Sequence, residues 1–502
     1  MAQLVLTIDQ GTTGTTVLII DPEGRIRGRA YGEIRQFFPR PGWVEHDAEE
    51  IFSTTVALSR RAMRAARVRD GEIAAIGIAN QRETFVVWER ASGRPVGRAI
   101  VWQCRRSAAI CAGLRAREPE IAKRTGLIVD PYFSASKLKW MLDRDPRLRR
   151  RAGRGELCFG TVDSWLIFRL TRGQSHVTDF TNASRTMLFN LRTRKWDPAM
   201  LELFGVPPEM LPEPVASRGP IAEAARGTIA SRAIAIGAVV GDQQSALFGQ
   251  GAVRPGQAKV TYGTGAFLLM HTGGKFVRSR NRLLSTAALD SDGEPAFALE
   301  GAIFVAGAVV QWLRDGLGLV REAADTARLA LAAGERGETY VVPAMVGLGA
   351  PWWDANARGA IVGITRSTSA ADLVRAALDS IAYQVWDVCH AMERDGGQPI
   401  GDLRADGGAA ANDYLMQFQA DILSRPVRRA AMLEVTALGA AMLAGLACGV
   451  WRSAAELEQL RAAGTLFRPR MRAAERQRLL QGWHEAVSRV LTAPARRKNL
   501  RP

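Results

Sequence analysis

Three short stretches hold residue types that could do chemistry together: Asp9-Gln10-Gly11-Thr12-Thr13-Gly14, Gly241-Asp242-Gln243-Gln244 and Thr261-Tyr262-Gly263-Thr264-Gly265. In the first and third, a Gly-Thr segment separates two apolar runs of strand type, over 4–8 and 16–20 and then over 259–261 and 266–270. Glycines in such a tight turn permit positive φ and leave backbone N–H groups uncovered, and threonines add hydroxyl donors. A turn lined this way is an anion nest. Asp9, at a strand end, could hold the Mg²⁺ that accompanies a nucleotide. One such turn alone is an ordinary hairpin, whereas two, each following a strand, point to a phosphate held between them. Asp242 follows a strand over 233–240 and is placed to activate a hydroxyl toward that phosphate. No Walker A sequence and no clean dinucleotide fingerprint is present, so neither a P-loop nor a Rossmann account has support.

The elements that must position these residues follow from periodicity and breakers. A helix is expected over 47–67, with Asp47 as its cap and Glu49-Glu50 in its first turn. Buried strands are expected over 73–78 and 84–88, with the polar run Asn80-Gln81-Arg82-Glu83 between them. A connector over 215–237 leads into the strand that delivers Asp242. Gly249, Gly251, Pro255 and Gly256 form a breaker cluster, which divides the chain into residues 1–250 and 251–502. In the second half a helix is expected over 301–313, a strand over 340–343 and a long helix over 370–394. A strand over 403–405 then enters the turn Asp406-Gly407-Gly408 and a helix over 410–423, a unit suited to bringing backbone against a ligand. The charge-free apolar stretch 437–451 is too short to span a bilayer and reads as a buried helix packed closely on a sheet. Each half opens with strand, Gly-Thr turn, strand, which implies two α/β domains facing a cleft.

Composition bounds the function classes. The 502 residues are 47% hydrophobic and 23% charged, with net charge +17 carried by sixty Arg against seven Lys. The arginines are spread along the chain, densest over 144–154 and at Arg496-Arg497-Lys498, without an aromatic-rich RNA signature or a zinc pattern. A solvated basic surface is favoured over a nucleic-acid site, and its field would attract an acidic metabolite such as ATP. Five cysteines without CxxC spacing suit a reducing compartment. With a strand at the very start and no spanning segment, the expectation is a cytoplasmic protein without membrane insertion.

Many motifs in order carry a resemblance across about residues 4–490. They include Pro41-Gly42-Trp43-Val44-Glu45-His46-Asp47, Ile100-Val101-Trp102-Gln103-Cys104-Arg105-Arg106, Gly160-Thr161-Val162-Asp163, the segment 181–190, 347–354, and the spacing Gly359, Ile361, Gly363, Ile364, Asp372, Leu373, Asp379. Together with the three stretches above they resemble the FGGY carbohydrate kinase family of the actin-like ATPase superfamily, and within it the glycerol kinases.

That resemblance implies two ribonuclease H-like (actin-like ATPase) domains around a central cleft, and ATP-dependent phosphorylation of glycerol to sn-glycerol 3-phosphate. It implies that Asp242 is the general base and that Arg82, Glu83, Tyr132 and Gln243 hydrogen-bond the glycerol hydroxyls. Trp102 and Phe267 would wall its carbon backbone, and Asp9 would bind Mg²⁺. Thr12, Thr13, Gly14, Thr16 and Thr264 would lie at the phosphates, with Gly307, Gln311, Gly408 and Asn412 on the ribose and adenine side. Read without the family, Arg82-Glu83 is more simply a local ion pair and Trp102 a core residue; the resemblance is what sets those readings aside. A homodimer or homotetramer is implied.

The family usually continues the first turn as Gly-Thr-Thr-Ser-Ser-Arg; here the last three positions are Gly14, Thr15 and Thr16. The missing arginine removes a cation near the transferring phosphate, which implies weaker ATP or transition-state binding. The stretch 224–235 lacks the Gly-Gly pair of the family's sugar-bisphosphate site, and the surface near 470–482 differs from relatives that bind a phosphotransfer regulator, so both controls are expected to be absent or altered. Two competing readings are a kinase of another polyol or ketose and a catalytically weak actin-like switch or scaffold. A substrate panel separates the first; the retained Asp242, Arg82 and Glu83 oppose the second.

Overall fold

The computed structural model describes residues 3–334, 336–461 and 464–492. The basic run Arg496-Arg497-Lys498 and the outer ends of the 1–250 and 251–502 division lie outside the described residues. Two mixed sheets organise the chain. The first runs in the order Arg218–Ala224, Ile234–Gly241, Ile73–Asn80, Leu4–Gln10, Gly14–Ile20, Ile26–Glu33. The second runs Leu284–Leu289, Pro295–Ile303, Ala266–Gly273, Ala258–Tyr262, Leu403–Asp406, Val427–Arg429, Thr465–Phe467. Both share one plan. A Gly-Thr hairpin lies at the centre, its first arm pairs in parallel with a later strand, a second parallel strand follows, and an antiparallel strand closes that edge. The duplication expected from the two hairpins is therefore present in the topology of the whole sheets.

A smaller sheet, in the order Gln36–Phe37, Glu45–His46, Ala99–Ile100, Phe85–Glu89, Leu157–Thr161, belongs to the first half. Trp102 lies just beyond its strand Ala99–Ile100. The helix Ala48–Ala65 starts as expected, with Asp47 accepting from the backbone of Glu49 and Glu50. The basic run near residue 150 is a helix, Pro146–Gly153, whose Arg149 pairs with Asp143 and whose Arg151 pairs with Glu89 and Glu156.

The apolar stretch near the C-terminus is the buried helix Val435–Cys448, ended by Gly449 in the left-handed region at φ 75°. It packs on the first sheet although it comes from the second half: Thr7 Oγ1 donates to the Ala437 carbonyl at 2.9 Å. Small residues allow this approach. A Cβ on Gly77 would stand 2.4 Å from the Ala440 carbonyl oxygen, and one on Gly439 2.0 Å from that of Ser245. Among the described residues no helix is long and apolar enough to cross a membrane.

Three expectations are corrected. The connector over 215–237 contains a strand, Arg218–Ala224, because its backbone completes the edge beside Ile234–Gly241. Gly301 lies in the strand Pro295–Ile303, and the helix begins only at Gly307, continuing as a π-turn over Trp312–Gly316. Periodicity could not separate a buried strand from the helix that follows it. Finally, none of Gly11, Gly14, Gly263 and Gly265 adopts positive φ. Gly14 and Gly265 serve close approach instead: a Cβ on Gly14 would lie 2.6 Å from the Gly32 carbonyl oxygen, and one on Gly265 2.3 Å from that of Ile303.

Candidate active site

Sheet register brings the three chemical segments of the first half to one place. Gln10 pairs with Asn80 and Asn80 with Gly241 in parallel ladders. Asp9, the Gln81-Arg82-Glu83 run and Asp242 therefore emerge at the same carboxyl edge, where open α/β sheets place their ligands. Gln81 fastens this edge to the first turn, donating from Nε2 to Gln10 Oε1 and to the Gly11 carbonyl, each at 3.1 Å.

Arg82 is buried and stands with Nε 3.2 Å from Asp242 Oδ1. Asp242 opens the helix Asp242–Gly249 and keeps about a quarter of its side chain accessible, at 27%. Glu83 is held at φ 63°, a costly conformation for a side-chain-bearing residue and one that clusters at functional sites. Its carbonyl accepts from Ser134 Oγ at 2.8 Å. Burial raises the Glu83 carboxyl, against the opposing pull of Arg185 and Arg82. Tyr132 is raised by burial and then by Glu83, so its hydroxyl stays a neutral donor.

Trp102 joins the pieces. Its ring meets Tyr132 edge-on at 5.5 Å between centroids and Phe267 at 6.2 Å, and its Nε1 donates to Thr12 Oγ1 at 2.9 Å. Phe267 comes from the second hairpin, so the apolar wall spans both halves.

Asp9 is pushed up to about 7 by burial and, behind it, by the Asp242 carboxylate. Mutual repulsion of this kind is relieved by a bound hard cation. Among the described residues no group of three or more His, Cys, Asp or Glu forms a protein cage. Magnesium bound along with a nucleotide needs only one or two carboxylates, because waters and phosphates complete its shell, so Asp9 fits such a site. Thr16 pairs directly across from Asp9 in the antiparallel ladder, on the same face.

Five further predicted residues meet in a second pocket. Thr264, Gly307, Gln311, Gly408 and Asn412 line a cavity of about 580 Å³. The Gly263-Thr264-Gly265 turn is docked on the start of the helix Gly307–Gln311, with Gly307 N donating to the Gly263 carbonyl and Ala308 N to that of Thr264. Only glycine fits at 307 and 407: an added Cβ would lie 2.6 Å from the Gly263 carbonyl oxygen and 2.4 Å from that of Tyr262. Asn412 caps the helix Asp413–Leu423 and donates to Thr326 Oγ1 at 3.1 Å. The two groups are joined through the second hairpin, which carries Thr264 in its turn and Phe267 on its second arm.

Sequence reasoning missed three buried charges. Glu300 accepts both terminal nitrogens of Arg82, and Arg185 bridges Glu83 and Glu300. Lys259 is fully buried and donates from Nζ to Gln243 Oε1 at 2.5 Å and to Thr261 Oγ1 at 2.8 Å, tying the second hairpin to the Asp242 helix. Burial lowers the Lys259 ammonium to about 8, with Asp406 and Asp242 opposing. A lone charged residue inside an apolar strand pattern, Lys259 in Ala258–Tyr262 and Glu300 in Pro295–Ile303, was the available signal.

The arrangement supplies a carboxylate beside a fixed guanidinium, hydroxyl-rich turns from both halves, and an adjoining pocket for a bulky group, as transfer of a phosphoryl group to a hydroxyl requires. Comparison with known proteins agrees. The model of the N-terminal domain of the FGGY family of carbohydrate kinases matches residues 4–249, and that of the C-terminal domain matches 258–448. The chain is 51% identical to glycerol kinase 2 of Pseudomonas aeruginosa, covering 97% of both chains. It is 52% identical to a glycerol kinase of Carboxydothermus hydrogenoformans, covering 97% of this chain and 98% of that one. Among solved structures, Plasmodium falciparum glycerol kinase with ADP superposes at TM-score 0.92 and 35% identity over 98% of each chain. A xylulose kinase of Lactobacillus acidophilus shares the fold at TM-score 0.85 and 22% identity over 97% of each. With both domain models matched in order across most of its length, the chain belongs to the FGGY family of carbohydrate kinases.

Proposed function

We propose that this chain transfers the γ-phosphate of ATP to a terminal hydroxyl of glycerol, giving sn-glycerol 3-phosphate. The observation that carries the reading is the Asp242 carboxylate facing Arg82 Nε at 3.2 Å, at the edge where the first phosphate turn also ends. The near-full-length identity to glycerol kinases supports glycerol as the acceptor.

Arg82, Glu83, Tyr132 and Gln243 present donors and acceptors to the hydroxyls, while Trp102 and Phe267 lie along the carbon chain. Asp242 takes the proton of the attacking hydroxyl, a role worth about 10²–10⁴ in rate. The Thr12-Thr13-Gly14 turn and Thr264 receive the phosphates, and the cavity beside Gly307, Gln311, Gly408 and Asn412 takes the adenosine. Asp9 would hold Mg²⁺, which supplies charge neutralisation along the polyphosphate. A division into domains at about residue 250 is supported by the strands of the two large sheets, which fall on either side of it, and closure of the halves would exclude water. A cytoplasmic homodimer or homotetramer is the corresponding cellular form.

The test is ADP release by the purified protein with Mg-ATP, with and without glycerol, beside Asp242→Asn. Glycerol-dependent release that the substitution abolishes supports the proposal; folded protein that ignores glycerol refutes it.

A further inference from the structure

Beneath the substrate side lies a buried charge layer that the reaction itself does not use. Arg185 and Glu300 are both fully buried, and Glu300 comes from the second half of the chain. Glu300 Oε2 accepts from Arg82 Nη1 at 2.6 Å and its Oε1 from Nη2 at 2.9 Å. Arg82 Nη1 also donates to Gln244 Oε1 at 3.2 Å. The end-on fork of the guanidinium is therefore consumed. Its Nε–H, buried yet closing no hydrogen bond within the protein, and the second hydrogen of Nη2 lie together on the remaining edge, which faces Asp242. Arg185 does the equivalent for Glu83: its Nε donates to Glu83 Oε1 at 2.6 Å, leaving Oε2, while its Nη2 donates to Glu300 Oε1 at 3.0 Å.

Resting on the proposed glycerol chemistry, we infer that Glu300 and Arg185 are positioning residues that fix hydroxyl specificity. They hold Arg82 so that a two-donor edge is presented, and Glu83 so that one acceptor oxygen is presented. A rigid pair of donors beside a single acceptor matches neighbouring hydroxyls on a polyol. A substrate lacking one of them would strand a buried partner. Because Glu300 sits on a strand of the second half, the clamp carried by the first half is complete only when the halves are seated against each other.

The experiment compares glycerol with propylene glycol, which lacks one terminal hydroxyl, using the full chain and Glu300→Gln, a substitution that keeps the shape and removes the charge. In the variant, KM for glycerol should rise about tenfold or more, and the preference for glycerol over propylene glycol in kcat/KM should fall by about tenfold. KM for ATP should stay within about twofold, which a general loosening of the fold would not allow. Arg185→Lys, which keeps a buried cation and gives up the fork, should show the same pattern and serves if Glu300→Gln does not fold. An unchanged glycerol preference in either folded variant overturns the inference, as does an equal rise in KM for glycerol and ATP or failure of both variants to fold. Wild-type protein inert toward glycerol would instead refute the proposed function, whatever the variants do.

Discussion

Trp102 Nε1 donates to Thr12 Oγ1 at 2.9 Å, so the ring proposed to wall the substrate side is pinned to the first Gly-Thr turn. The proposed acceptor and phosphate sites therefore share a mechanical element. Trp102→Phe keeps an aromatic wall and removes the bond. A loss of about 1 kcal/mol is expected, a fall of roughly fivefold in kcat/KM, for ATP as well as glycerol. Steady-state kinetics varying each substrate in turn checks it; an effect confined to glycerol would mean the bond does not couple the two sites.

Thr16 lies across from Asp9 in the first hairpin, where the family's usual pattern carries arginine. Thr16→Arg places a cation beside a carboxyl that burial and Asp242 have pushed up to about 7. The added charge should improve kcat/KM for ATP by about tenfold, within the few kcal/mol that a phosphate-side cation can supply. Kinetics at saturating glycerol measures this directly.

Lys259 yields a prediction about pH. Its folded-state pKa is lowered by burial from 10.5 to about 8. Between those values the unfolded chain holds a proton that the folded chain has released, so stability rises as pH increases through that window. Lys259→Met removes this contribution. Denaturant midpoints across the window should climb more steeply for the wild type than for the variant; parallel curves would contradict the prediction.

The seam between the first sheet and the Val435–Cys448 helix is set by backbone contact. Gly77→Ala would put a methyl group 2.4 Å from the Ala440 carbonyl oxygen, which can retreat only with its helix. A loss of about 1–3 kcal/mol in stability is expected from such overpacking. Because Gly77 lies within the strand that ends at Asn80, the glycerol KM should rise as well. Thermal unfolding and kinetics on one preparation test both parts.

The candidate site was legible in the sequence wherever it sits in local runs. Asp9 with its Gly-Thr turn, Arg82-Glu83, Asp242-Gln243 and the second Gly-Thr turn are each defined by neighbours a few residues away, and turn and strand propensities are local quantities. The same holds for the Asp47 cap and for the apolar helix near the C-terminus. What locality could not decide was which side of each group is already occupied. Arg82 meets Glu300 across 218 positions, Arg185 meets Glu300 across 115, and Thr7 meets Ala437 across 430. Those pairs depend on strand register and on one half of the chain packing against the other. Even the turn glycines, placed correctly, had their reason supplied by tertiary contact, since it is the Gly32 and Ile303 carbonyls that exclude a side chain at Gly14 and Gly265. Local runs name the groups proposed to do the chemistry; packing of the two halves settles which of their donors and acceptors stay free, because a hydrogen-bonding edge can be consumed by any residue the fold brings near.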